Sequence, residues 1–282
     1  MKPPHPHRPQ SRQPQPERGP REGRPRGANF HAPAPRPSPE APRGAVWLYG
    51  SHAVAAALAN PARRLRRLLL TEDAEAALAA RLPPPWAIGA ERADRARLDQ
   101  MLGRDVVHQG TALLADPLAP PPLAQVLDRP GPVLVLDQVN DPRNVGAILR
   151  AAAAFGAAGV ITQERNAPEE TGALAKAASG ALETVPLLRA VNIARTLVAL
   201  KAAGCWVVGL DGAAPGVLSG PALAERRVAL VLGSEGEGLR RLTRDTCDEL
   251  ARIAMPGANR ALDSLNVSAA AAIALYELGR RA

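Results

Sequence analysis

"VLVLDQVNDPRNVGAILRAA", residues 133–152, opens with an unbroken apolar run that ends in an aspartate. Such a run suits a strand buried on both faces, the kind found in parallel sheets. A turn rich in Asn, Asp and Pro follows. Asp141 is placed to cap the helix that starts there. Pro142 suits the first turn, where its missing N–H would go unpaired anyway. Asn144 either reaches back toward that cap or projects into a site. Arg150 interrupts a stripe of alanines, at i, i+3, i+4, i+7 spacing with Ala147, Ala151 and Ala154. Alanines admit a close neighbour, and a guanidinium offers five fixed donors that match phosphate. A surface ion pair is the other reading of Arg150.

Upstream, "VWLYG" (46–50), "LRRLLLT" (65–71), "WAIGA" (86–90) and "GTALLAD" (110–116) read as strands. Helices are expected at 51–60, opened by Ser51, and near 73–81 and 91–102. A proline-dense stretch, 118–131, reads as a linker. Downstream, "GVITQ", "TVPLL", "CWVVGLD", "RVALVLG" and "ELARIAM" read as strands. Helices are expected at 171–180, at 192–204 with Asn192 as N-cap and Gly204 just past the end, and from Ser264 onward. Strands alternating with helices imply an α/β fold with a mostly parallel sheet.

The chain has 282 residues, a net charge of +8 and 46% hydrophobic residues, enough for a real core. Residues 1–43 hold nine Lys/Arg against three Asp/Glu, and 13 of the 29 prolines. This segment reads as a disordered basic tail, suited either to polyanions such as RNA or to solubility alone. The N-terminus has no apolar signal region, and no apolar run reaches a membrane-spanning length, so a cytoplasmic protein without a membrane partner is expected. Cys205 and Cys247 lie far apart without a metal-ligand pattern, so neither a disulfide nor a metal is expected. Aromatics make up only 2%, which argues against stacking bases on an aromatic platform.

Two further loops join the first. "VALVLGSEGEGLRRL" (228–242) runs from a buried strand through Gly233, Gly236 and Gly238 into a helix. The spacing is neither that of a dinucleotide fingerprint nor that of a P-loop. Glu235 puts a carboxylate at the bend, either for a hydroxylated or cationic ligand or simply for the helix dipole. "MPGANRALDSLNVSAAAAIALYEL" (255–278) crowds Ser264, Asn266 and Ser268 at a helix start, more than one cap requires. Alanines 269–272 again permit close packing.

Together these loops resemble the SpoU family of ribose 2′-O-methyltransferases, of the SPOUT class. The likeness rests on N-x-G-x-x-x-R at Asn144–Arg150, G-x-E-G-x-G-L at Gly233–Leu239 and S-L-N-V-S at Ser264–Ser268. "WLYGSHAVAAALANPARRL" and "HQGTALLADPL" resemble the small substrate-binding domain of the rRNA-modifying branch. The resemblance implies a trefoil-knotted parallel-sheet methyltransferase domain over 132–282. A small α/β, L30e-like substrate-binding domain over 44–117 would precede it. It implies S-adenosyl-L-methionine as cofactor, bound by Leu232, Gly233, Ile253, Met255, Ser264 and Leu265. It also implies a homodimer with its site near the interface, and Arg150, Asn144, Glu235, Ser264 and Asn266 as the catalytic set. Because arginine stays protonated, Arg150 is expected to bind phosphate and stabilise a developing alkoxide rather than act as a base.

The implied substrate is a guanosine of 23S rRNA, free or in a pre-50S particle. A tRNA ribose methyltransferase of the same family, or a non-catalytic RNA-binding assembly factor, is the alternative. Arg63, Arg64, Arg66 and Arg67 cluster near a strand edge and are candidates for RNA backbone contact. His108 reads as structural. The loop at 255–268 looks a few residues longer than is common in the family.

Overall fold

The computed structural model describes residues 44–165, 167–257 and 264–280. The basic tail expected over 1–43, and residues 258–263 of the lengthened loop, lie outside the described residues.

The first elements are β1 (Val46–Tyr49), α1 (Ser51–Ala59), β2 (Leu65–Leu70), α2 (Glu72–Arg81), β3 (Ala90–Arg92), α3 (Arg95–Leu102) and β4 (Thr111–Ala115). A short helix, α4 (Leu123–Leu127), leads into β5 (Val133–Leu136), α5 (Pro142–Ala154), β6 (Gly159–Gln163), α6 (Gly172–Ala178), β7 (Leu187–Ala190) and α7 (Ile193–Ala202). Then come β8 (Cys205–Leu210), β9 (Gly216–Val217), α8 (Gly220–Leu223), β10 (Arg227–Leu232), α9 (Arg241–Thr246), β11 (Glu249–Arg252) and α10 (Val267–Gly279). No described helix is long and apolar enough to cross a membrane.

The strands form two sheets. The larger has the order β7-β6-β5-β10-β8-β11-β9, and every pairing in it is parallel. Side chains alternate across it. Leu134, Leu136, Leu230 and Leu232 face a cluster with Ile148 and Leu149 of α5 and Ala274 and Leu275 of α10. Val133, Val135, Ala229 and Val231 face a second cluster with Ile193, Leu197 and Leu200 of α7. Both faces are dry, which is why these strands carry no polar alternation. After β5 the chain builds outward through β6 and β7, returns to lay down β8, and only then inserts β10 between β5 and β8. The strand order reverses at β5 and β10, so the loops leaving their C-terminal ends lie side by side, where open α/β sheets hold ligands. The segment that a knot would thread, between β11 and α10, includes residues outside those described.

The smaller sheet has the order β1-β4-β2-β3 and is mixed. β4 runs antiparallel to β1 and β2, while β2 and β3 run parallel. Several boundaries differ from the sequence reading. Gly50 precedes α1 in a positive-φ conformation and Ser51 is the first helical residue, its N–H going to Gln109 Oε1. β3 begins at Ala90 and α3 at Arg95, where Asp94 caps the helix through Arg97 N–H. β7 is displaced past Pro186, whose ring cannot donate to a ladder. α10 begins at Val267 rather than Ser264, because Asn266 is the residue that caps it. The proline-dense stretch contains α4. Its Val126 is buried, and Arg227 donates to the carbonyls of Val126, Leu127 and Arg129.

The two sheets share one hydrophobic cluster, which holds Leu48 and Leu113 as well as Leu134 and Leu230. Gly172 at the start of α6 leaves room for the Tyr49 ring and the Trp47 carbonyl, where a Cβ would lie 2.2 Å and 2.4 Å away. Gly146 of α5 in turn lies against Leu174 and Ala178 of α6. Arg63 locks this contact. Its buried side chain bonds the Glu170 carboxylate, Glu183 Oε1 at 2.5 Å and the Asp116 carbonyl at 2.9 Å. Burial raises the Glu170 carboxyl above the usual carboxylate range, and Arg63 offsets only part of that rise.

Replacing Arg63 by Ala strands two buried carboxylates. The expected loss is about 3–5 kcal/mol, read as a fall in Tm of roughly 10 °C. A variant within 2 °C of wild type would contradict that role. The thiols give a second test. Cys205 is buried, and burial also pushes the half-buried Cys247 up to about 11. At about pH 8 neither is expected to react with iodoacetamide in the folded protein, while both should in guanidinium. Fast labelling of the native chain would show that the burial is wrong.

Candidate active site

The site forms where three strand-to-helix transitions meet. The first follows β5. Gln138 turns the chain with a φ of 62°, and the Asp141 carboxylate then accepts the Arg143 N–H at 2.8 Å. Because Asp141 is the cap, the side chain of Asn144 one turn in is released from that duty. Arg143 lies close to Tyr49 and opposes the upward push that burial gives the phenol.

The second follows β10. Gly233 passes so close to the returning chain that a Cβ would lie 2.2 Å from the Gly238 carbonyl carbon. Ser234 and Gly238 exchange a pair of backbone hydrogen bonds, at 3.2 Å and 3.0 Å. Gly236 and Gly238 adopt φ of 98° and 67°, where a side chain is strained. This tight loop presents Glu235 at its exposed tip.

The third precedes α10. Asn266 Oδ1 accepts from Ser268 N at 2.9 Å, Ser268 Oγ at 2.6 Å and Ala269 N at 3.3 Å, which makes it the N-cap. Its Nδ2 then faces the other way, donating to Glu235 Oε1 at 2.7 Å and to Asn144 Oδ1 at 3.1 Å. Glu235 Oε1 also accepts from Asn144 Nδ2 and from Val267 N, each at 3.2 Å. Asn144, Glu235 and Asn266 thus close into one network. Among the described residues Glu235 Oε2 has no partner, so the carboxylate keeps one oxygen for a ligand.

Arg150 is not part of this network. It lies six residues after Asn144, about 9 Å along α5 and on a different face. It is exposed, with no ion pair or hydrogen bond among the described residues. Of the alanines spaced with it, Ala151 is buried, while Ala154 is exposed next to Ala153. α5 buries Val145, Gly146, Ile148, Leu149, Ala151 and Ala152, and turns Arg150 outward. Beyond the end of α5, Phe155 meets Tyr276 of α10 edge to face at 6.3 Å, with both rings partly exposed.

The candidates for cofactor contact lie at the same end of the sheet. Leu232 is buried at the tip of β10. Gly233, Ile253, Met255 and Leu265 are half-buried, and Ser264 is exposed without a hydrogen bond among the described residues. Residues 253–257 form no hydrogen bond with other described residues. No group of His, Cys, Asp or Glu among the described residues is arranged to hold a metal.

The arginine cluster differs from expectation. Arg63 is buried in the contact between the sheets and cannot reach RNA. Arg66 pairs with Asp116 at 2.5 Å and Arg67 with Glu91 at 2.8 Å, while the exposed Arg64 approaches Asp116 only to 3.7 Å. His108 is buried, bonded to Asp99 at 3.0 Å, and accepts the Gly110 N–H at 3.0 Å.

The sequence reading missed Asp137 and Arg240. Asp137 is fully buried, and its carboxylate accepts the Arg240 backbone N–H at 3.0 Å and its guanidinium at 2.6 Å. The signal was present in "VLVLD", since a carboxylate ending a buried strand needs a partner. Nothing local pointed to a residue 103 positions away.

Comparison with known proteins follows the same division. Residues 131–276 match the SpoU rRNA Methylase family, and residues 47–121 match the RNA 2′-O ribose methyltransferase substrate-binding family. An uncharacterized tRNA/rRNA methyltransferase of Synechocystis sp. is 38% identical over 260 residues, covering 89% of this chain and 66% of that one. The 23S rRNA (guanosine-2′-O-)-methyltransferase RlmB of Photobacterium profundum is 39% identical over 250 residues, covering 83% of this chain and 97% of that one. The SpoU methyltransferase AviRb of Streptomyces viridochromogenes, solved with AdoMet, shares the fold. Its TM-score is 0.66 at 21% identity, over 84% of this chain and 89% of that one. With its parallel sheet and its three loops gathered at one end, this chain belongs to the SpoU rRNA methylase family.

Proposed function

We propose that this chain transfers the methyl group of S-adenosyl-L-methionine to the ribose 2′-hydroxyl of a guanosine in 23S rRNA. The observation that carries this reading is the network joining Asn144, Glu235 and Asn266 across three loops, with one carboxylate oxygen left open. The surroundings suit the cofactor. Half-buried Ile253, Met255 and Leu265 offer apolar side chains beside the glycine-rich turn. When bound, the sulfonium supplies an electrophilic methyl group. The RNA specificity follows the relatives and the substrate-binding match over 47–121. The division into a substrate-binding part at 44–117, a connecting segment at 118–131 and a methyltransferase part at 132–282 belongs to the same proposal, as does a bacterial cytoplasmic setting.

The task left to the protein is to hold a weakly nucleophilic hydroxyl in line with the methyl group. Glu235 Oε2 receives a ribose hydroxyl or the hydroxylated part of the cofactor, while Asn144 and Asn266 fix the carboxylate from behind. Ser264, exposed two residues before Asn266, is the remaining member of the set. Arg150 keeps its proton, so its part is to bind a phosphate beside the target ribose and to stabilise charge developing on the oxygen. Within one chain it points away from the network. A homodimer formed across the exposed face of α5 and α10 would deliver Arg150 to the partner's network. The exposed Phe155, Ile273 and Tyr276 suit such a contact.

Arg150→Ala is expected to lower methyl transfer by about a hundredfold or more with an unchanged Tm, measured with labelled cofactor on separate rRNA and tRNA pools. Near-normal turnover would remove Arg150 from the mechanism, and transfer to tRNA alone would reassign the substrate. Mixing Arg150→Ala with Asn266→Ala subunits should restore roughly a quarter of wild-type activity if sites are shared across a twofold dimer. No recovery after subunit exchange would rule out a shared site.

A further inference from the structure

Asp137 touches both ends of one loop. Its backbone N–H bonds the carbonyl of Leu232 at 2.8 Å, where the chain enters the glycine-rich turn. Its carboxylate takes the backbone N–H of Arg240 at 3.0 Å, where the chain leaves that turn. Both the Nε and the terminal nitrogen of the Arg240 guanidinium lie 2.6 Å from Oδ1. Residues 233–239 are therefore closed off at their base by a single residue of β5's C-terminal end.

The loop needs such a closure. Three of its seven residues are glycine, two of them at positive φ, so its free chain has many conformations to lose. Besides Asp137 it is held by the Ser234–Gly238 bonds, by the buried Leu239 side chain and by Glu235 at the tip. The tip contacts are exposed to water, which weakens them. On the Asp137 side the contact is buried, and it is charge-assisted, which strengthens it.

We propose that Asp137 and Arg240 are a positioning pair, which holds the 233–239 loop at its base and thereby aims Glu235 at Asn144 and Asn266. This rests on the reading above, in which that loop carries the methyl donor. Neither side chain needs to touch substrate. Asp137 is fully buried, and Arg240 is committed to it.

The decisive experiment is a double-mutant cycle between Arg240→Gln and Glu235→Ala. S-adenosylmethionine affinity is read by calorimetry, and kcat and KM for RNA by methyl transfer. Arg240→Gln keeps a side-chain donor beside the buried Asp137, and its Tm is measured first, as is that of Asp137→Asn. Arg240→Gln is expected to weaken cofactor binding about tenfold and lower kcat about tenfold with little change in KM. Arg240→Lys should recover part of the loss. With Glu235 already replaced, Arg240→Gln should add little. Amide exchange at 234–238 should rise in Arg240→Gln while the rest of the sheet is unchanged.

Additive losses in the double variant would overturn the proposal, as would a loss confined to KM, which would make Arg240 an RNA contact. Unchanged amide exchange would overturn it as well. If the wild-type chain binds no S-adenosylmethionine, the functional reading falls instead, and the exchange measurement still decides the pair.

Discussion

One carboxylate oxygen, Glu235 Oε1, receives donors from residues 91 and 31 positions away in the chain. Forming it requires the ends of β5 and β10 and the start of α10 to arrive together, so the site exists only when the whole parallel sheet does. The identity of Asn266 follows from this meeting. Serine or aspartate would cap α10 as well. An amide accepts the helix N–H groups with its oxygen and donates to Glu235 and Asn144 with its nitrogen, two atoms aimed apart. An aspartate there would set two carboxylates against each other.

The parallel sheet was legible in "VLVLD" and "RVALVLG", because two-sided burial removes polar residues from a strand and leaves a mark in one dimension. Asn144, Glu235 and Asn266 were legible differently: each loop left a local explanation open, and only the resemblance carried by the three motifs together named them. Partners brought together by folding left no such mark. Arg63 looks in sequence like one more surface arginine beside Arg64, and only the arrival of Glu170 and Glu183 makes its burial tolerable. The antiparallel direction of β4 was hidden too, since alternation of strands and helices does not fix the sense of a strand that slots between two others.

The same folding redistributes charge. Read along the chain, Arg63, Arg64, Arg66 and Arg67 suggest a basic edge. In the fold Asp116 and Glu91 neutralise Arg66 and Arg67, and Arg63 is withdrawn from the surface. The exposed cations of α5, Arg143 and Arg150, gain weight by comparison, because their fields are not cancelled at close range.

The shared core between the two sheets has a mechanical consequence. Arg63 ties the smaller sheet to Glu170 and Glu183 on either side of α6, α6 packs tightly on α5 through Gly146, and α4 is strapped to β10 by Arg227. The smaller sheet and the loop that carries Asn144 are therefore mounted on one pair of packed helices, and a side chain added at Gly172 or Gly146 would disturb both.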